Sequence, residues 1–136
     1  MSRKAIVLTL VVFATVAQAQ PAANGVDWTK AQVIEITMSN FDFAPKTLQL
    51  KRNTPYRLHF VNNGSSDHNF ASKELFAAVM AAPSDRAKIE NGEVEVEKGK
   101  SEDVSVMPMT AGSFPFHCTH FLHSMFGMHG QAMVGE

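Results

Sequence analysis

The sequence has little cysteine, tryptophan or tyrosine, with one of each in 136 residues, and no strong excess of charge of either sign. A single cysteine excludes a disulfide within the chain, although small exported domains often depend on such bonds. The 12 basic and 13 acidic residues give a formal net charge of −1, which does not indicate a nucleic-acid-binding surface. Internal repeats, low-complexity segments, phosphate-binding glycine loops and paired-carboxylate sites are also missing from the sequence. The length suits one small domain, and its function must be carried by a few side chains.

The first 19 residues have the pattern of a secretory signal peptide. Arg3 and Lys4 form a basic start, residues 5–16 are an apolar run, and residues 17–19 read Ala-Gln-Ala, a typical cleavage motif. The apolar run is shorter than the ~20 residues that a membrane span needs. We therefore predict export to a bacterial periplasm, and a mature chain that begins at Gln20 without a membrane span.

The remaining sequence divides into a short lead-in, residues 20–31, and one domain, residues 32–136. The domain alternates apolar and polar residues in short segments that are separated by turn residues, which is the pattern of β-strands. Strands are predicted at 32–38, 47–51, 55–62, 93–97, 102–107, around 114–118 and at 130–134. This pattern predicts an all-β domain, a Greek-key β-sandwich or barrel of about eight strands.

Two local predictions refine this picture. Residues 72–80 are expected to form a short helical insert with Ser72 as its N-cap, and a second helical turn is expected to reach about Glu90. Phe41 and Phe43 are two positions apart in a β-like segment, so both rings should lie on one face.

The residues with distinctive chemistry concentrate near the end of the chain. Residues 116–130 contain the only cysteine, four of the six histidines and two of the eight methionines. Cys118, His123 and Met128 form the pattern Cys-x4-His-x4-Met. Thiolate and thioether are soft donors that favour Cu(I), and imidazole also suits Cu(II). A trigonal site of two histidines and one cysteine with a weak axial methionine needs a second imidazole, and His68 is placed to supply it.

This stretch resembles the copper loop of the cupredoxins, the blue copper proteins, and the resemblance extends over residues 32–134. It implies four copper ligands: His68, Cys118, His123 and Met128. It also implies one copper ion per chain, and it gives Asn69, the residue after the first ligand, a role in bracing the loop by hydrogen bonding.

The run His-Cys-x4-His-x4-Met is also similar to the last domain of multicopper oxidases, which carry histidine on both sides of the cysteine and feed a trinuclear copper cluster. Here Thr119 follows Cys118, and the sequence contains no His-x-His pair, so this chain alone cannot assemble that cluster. A nucleophilic role for Cys118 would leave the spaced methionine unexplained. We therefore expect no catalytic residues and no enzymatic activity.

Two functions fit these residues. The first is a periplasmic one-electron carrier, a monomer with one type-1-like copper that docks transiently on redox protein partners, because apolar residues frame His123 in the loop. The second is a copper-binding protein for storage, delivery or tolerance of the metal. Further soft and imidazole donors favour the second function: His117, His120, Met125, His129, Met107, Met109 and Met133. His120 also competes with His123 as a ligand, although the four-residue spacing favours His123.

Overall fold

The computed structural model describes residues 25–136, so the predicted signal peptide and the beginning of the lead-in lie outside the described residues. Within this range ten strands and one α-helix are present. The strands are β1 (Gln32–Ser39), β2 (Asp42–Ala44), β3 (Thr47–Lys51), β4 (Tyr56–Asn62), β5 (His68–Ala71), β6 (Val79–Ala81), β7 (Glu93–Val96), β8 (Ser101–Pro108), β9 (Gly112–His117) and β10 (His129–Gly135), and the helix is α1 (Lys73–Ala77). The prediction of an all-β sandwich is confirmed.

The strands form two five-stranded sheets. The first has the order β2-β1-β4-β8-β6, and the second has the order β3-β10-β9-β5-β7. Most neighbours are antiparallel, but β1 pairs with β4 and β10 pairs with β3 in parallel. In the part of the chain from residue 25 onward, no helix has the length and apolar character that crossing a bilayer requires.

The core lies between the sheets and follows the period of two that the sequence shows. In β4 the side chains of Tyr56, Leu58 and Phe60 are buried, and the intervening residues are more exposed. A cluster of aromatic rings fills the centre, where Phe70 lies with ring centroids 4.4 Å from Phe116 and 5.1 Å from Phe60. Such burial supplies most of the driving force for folding.

The helical insert is shorter than predicted. Ser72 is the N-cap, and its hydroxyl accepts a hydrogen bond from the backbone N–H of Leu75 at 3.3 Å, but α1 ends at Ala77. Residues Val79–Ala81 form β6 and pair with β8. The prediction of helix over Val79 and Met80 is wrong, because pairing with an available strand edge outweighs their local helical pattern. Beyond them, the predicted second turn is a 3-10 helix over Arg86–Lys88.

The prediction that Phe41 and Phe43 share a face is also wrong. Phe43 is fully buried in the core, whereas Phe41 is 40% exposed. Phe41 has φ of 62°, a left-handed conformation that interrupts the alternation of a strand. Its ring therefore turns away from the core, towards the loop that precedes β10.

Candidate metal centre

His68 is positioned by a tight loop between β4 and β5. The Asn62 side chain donates hydrogen bonds to the carbonyl oxygens of Ser66 and Val96, at 3.0 and 2.9 Å, and accepts one from the N–H of Gly64 at 2.8 Å. A Cβ atom on Gly64 would collide with the imidazole of His68. The absence of that atom lets the loop cover the ring closely, and His68 is fully buried at the first position of β5.

Cys118 and Met128 lie at the two ends of the loop that joins β9 to β10. The N–H of Cys118 donates to the carbonyl oxygen of Met128 at 3.1 Å, and the N–H of Met128 donates to the carbonyl oxygen of His123 at 3.1 Å. Gly127 ends a 3-10 turn with φ of 101°, a conformation that suits glycine. These bonds close the loop on itself, so that residues far apart in the loop come together.

The structure brings the donors of His68, Cys118 and His123 into one cluster. The Nδ1 atoms of the two histidines are 3.1 Å apart, and Sγ of Cys118 lies 3.3 Å from Nδ1 of His123 and 3.9 Å from Nδ1 of His68. Bonds of ~2.0–2.3 Å to one metal ion place its donors roughly 3–4 Å apart. The three donors therefore fit a single ion, and their chemistry is that of a trigonal copper site.

Met128 is the fourth predicted ligand and ends the same loop. It is fully buried in the same core cluster as Cys118 and is tied by its backbone to both Cys118 and His123.

The protonation of this cluster is governed mainly by burial. Burial lowers the pKa of His68 and of His123, and the neighbouring histidines lower both further. Burial raises the pKa of the Cys118 thiol; backbone N–H groups of Asn69 and His120 oppose this rise. Without a metal the imidazoles are neutral at neutral pH and the thiol is protonated, so a metal that binds here displaces the thiol proton.

Asn69 joins the strand of His68 to the residue that follows Cys118. Its side-chain carbonyl accepts a hydrogen bond from the N–H of Thr119 at 2.8 Å, and its amide donates to the Thr119 hydroxyl at 2.6 Å and to the Glu93 carboxylate at 3.0 Å. Asn69 is 2% exposed, whereas Thr119 is exposed and Glu93 is partly exposed. The hydrogen bonds fix the spacing between the two ligand-bearing segments.

His120 lies outside the donor cluster. Its ring stacks on His123 with centroids 5.6 Å apart, and its Nε2 is 2.8 Å from a carboxylate oxygen of Glu95. Glu93 and Glu95 were not among the predicted site residues, because the sequence pattern indicated only a strand at 93–97. β7 is an edge strand, and its outer face adjoins the site.

An apolar rim surrounds the exposed side of the donor cluster. It consists of Phe41, Phe121, Leu122, Met125 and Phe126. Phe121, Met125 and Phe126 are 86%, 79% and 62% exposed. The ring of Phe41 contacts both His123 and Phe126, with centroid distances of 5.2 and 5.1 Å. The contribution of Phe41 depends on its left-handed backbone, which the sequence pattern did not indicate.

The other candidate donors are distributed over the outer surfaces. Met107 faces Met80 across β8 and β6, in the sheet that does not carry the donor cluster. His117 faces His129 across β9 and β10. His59, the one histidine that was not among the candidates, is held by Asp103, with Nδ1 2.7 Å from the carboxylate.

The fold and the donor set define a copper-binding β-sandwich. Residues 5–134 match the family model of the cupredoxin-like domain, and the chain belongs to that family, with one copper ion as its cofactor. No curated protein matches the sequence.

Solved structures share the fold at low sequence identity. Auracyanin B is 23% identical, with 78% of this chain and 90% of that chain covered and a TM-score of 0.59. An auracyanin from Roseiflexus castenholzii is 19% identical, with 78% and 98% covered and a TM-score of 0.58. A multicopper oxidase from Campylobacter jejuni is 17% identical, with a TM-score of 0.57. The match covers 77% of this chain and 30% of the oxidase chain.

Proposed function

We propose that this chain is an exported, periplasmic one-electron carrier, a monomer whose copper is held by His68, Cys118, His123 and Met128. The observation that carries the proposal is the compact triangle of one sulfur and two imidazole nitrogens, placed directly beneath an exposed apolar rim. A copper ion bound there supplies a Cu(II)/Cu(I) couple.

The protein's contribution is to hold the ligands in one geometry. Cys118 and His68 are fully buried, and Asn69 links their two segments through two hydrogen bonds to Thr119. Such surrounding contacts orient metal ligands and tune the metal that they bind. A rigid set of donors moves little when an electron arrives or leaves, which supports rapid transfer.

The apolar rim supplies the route to a partner. His123 is the ligand that lies partly exposed, and Phe41 and Phe126 lie beside it. Electron-transfer encounters use small, short-lived interfaces, and an exposed ring of Phe and Met side chains around one ligand suits them. The basic start, the apolar run and the Ala-Gln-Ala motif at residues 17–19 support export. In an oxidising compartment, a metal bound to Cys118 would protect its thiolate.

The first experiment tests the copper site. The mature protein loaded with one equivalent of copper should show an intense thiolate-to-copper charge-transfer band, because Cys118 is the only thiolate. Cys118→Ser should abolish this band. A protein that binds Zn(II) tightly but shows no such band with Cu(II) would contradict the proposal.

The second experiment tests the rim. A soluble c-type cytochrome serves as a probe partner, and the rate of electron exchange is measured for Phe121→Ser. Met109→Ser is the matched control, since Met109 is also exposed (43%) but follows β8 in the other sheet. Slower exchange for Phe121→Ser alone, with an unchanged charge-transfer band, supports docking at the rim. Equal rates for both variants would contradict it.

A second candidate function is copper storage, delivery or tolerance. The observation that favours it is the pairing of further metal-binding side chains on outer faces, Met80 with Met107 and His117 with His129. Transfer of copper to a Cu(I) chelator separates the two functions. A carrier of electrons retains its copper through repeated redox cycles, whereas a copper-delivery protein loses it to the chelator on reduction.

A further inference from the structure

Two histidines stand directly opposite each other on neighbouring strands behind the donor cluster. His117 in β9 is in register with His129 in β10. The adjacent pair, Cys118 and Met128, is joined by a backbone hydrogen bond of 3.1 Å. Hydrogen-bonded and non-hydrogen-bonded pairs alternate along an antiparallel ladder, so His117 and His129 form a non-hydrogen-bonded pair, whose Cα atoms are ~4.5 Å apart and whose side chains are closest.

Both rings lie on the outer face of the sheet. Side chains alternate between faces along a strand, and Cys118 and Met128 are fully buried on the inner face. His117 and His129 are correspondingly exposed. The pair is therefore separate from the donor cluster, on the opposite side of the same two strands.

The two rings have no other partner in the described part of the chain, residues 25–136. The remaining four histidines there are engaged: His59 with Asp103, His120 with Glu95, and His68 with His123. Two imidazoles in this arrangement are available as metal ligands.

The surface beside the pair carries carboxylates. Ala71 is in register with His117 on one side and with Glu93 on the other. Its small side chain leaves a depression that Glu74, Glu93 and His117 line together with Lys73. Two carboxylates against one ammonium make the local charge negative, which favours a cation.

We propose that His117 and His129 form a second metal site, which takes a divalent copper ion. Imidazole is a good ligand for Cu(II), and Cu(II) is bound more tightly than the other divalent first-row ions by a given nitrogen or oxygen site. Water completes the coordination at this open surface. The site contains no thiolate, so it adds no thiolate-to-copper charge-transfer band, and it stands independently of the proposed electron-carrier role.

The test removes the first site and counts the copper that remains. In the variant Cys118→Ser/His123→Ala, we expect one equivalent of Cu(II) to bind, with nitrogen coupling in its electron paramagnetic resonance spectrum. Adding His117→Ala or His129→Ala to this background should abolish that equivalent. His59→Ala is the matched control, because His59 lies in the other sheet, and it should leave the equivalent in place.

Circular dichroism spectra that match across the variants establish that each is folded. Absence of bound Cu(II) in the folded background variant would overturn the proposal. Binding that survives both His117→Ala and His129→Ala would also overturn it, since the copper would then lie elsewhere.

Discussion

Replacing Asn69 by alanine should loosen the link between the two segments that carry the copper ligands. The substitution removes three hydrogen bonds, two to Thr119 and one to Glu93. A neutral hydrogen bond contributes about 1 kcal/mol net, and one to a charged group more. The contribution of Glu93 is reduced because that side chain is partly exposed to solvent.

The expected loss of unfolding free energy is about 2–3 kcal/mol in the metal-free protein. For a chain of this size, each kcal/mol lowers Tm by about 4 °C, so Tm should fall by about 10 °C. Urea unfolding followed by circular dichroism measures the free energy, and thermal unfolding measures Tm. Asn63→Ala is the control, because Asn63 is exposed in the preceding loop and should change little.

A double-mutant cycle with Thr119→Val tests the reasoning directly. The two substitutions remove the same side-chain contact, so their effects should couple by about 1 kcal/mol rather than add. The reasoning is refuted if Asn69→Ala lies within ~0.5 kcal/mol of the wild type, the range of an ordinary surface substitution.

Three further substitutions test individual positions of the site. Met128→Gln should keep copper bound and lower the reduction potential, because an oxygen ligand favours Cu(II), and cyclic voltammetry measures the shift. His123→Ala should abolish the charge-transfer band or leave an open position that added imidazole fills, while His120→Ala should leave the band largely intact in the absorption spectrum. Gly64→Ala should push the His68 ring from its place; overpacking of this kind costs about 1–3 kcal/mol, so copper affinity measured by chelator competition should fall roughly 10-fold or more.

Each of these has a control or a contrary outcome. Gly25→Ala is the control for Gly64→Ala, since a Cβ atom there meets nothing within 4 Å. An unchanged potential in Met128→Gln would identify another axial donor, with Met125 in the same loop as the first to test. A band that needs His120 but not His123 would reverse the ligand assignment.

The β-sandwich and the composition of the donor set were readable from sequence because they depend on local patterns. The alternation in β3 and β4 reports which side chains face the core, and the spacing Cys-x4-His-x4-Met brings soft donors and an imidazole into one loop. Ser72 was recognisable as an N-cap because capping depends on neighbouring residues alone.

The sequence by itself determined the class of fold, the copper chemistry and the place of His68 beside a turn. Tertiary structure decided the remaining strand boundaries, the composition of the rim and the pairing of the outer histidines. These features depend on contacts between segments that are distant along the chain. Only strand pairing made Val79 and Met80 part of β6 instead of the expected helix, and only the left-handed backbone of Phe41 placed its ring at the rim. The register of β9 and β10 likewise placed His117 opposite His129, a pairing that follows from the length of the loop between the strands and the way it closes, not from the pattern of either strand.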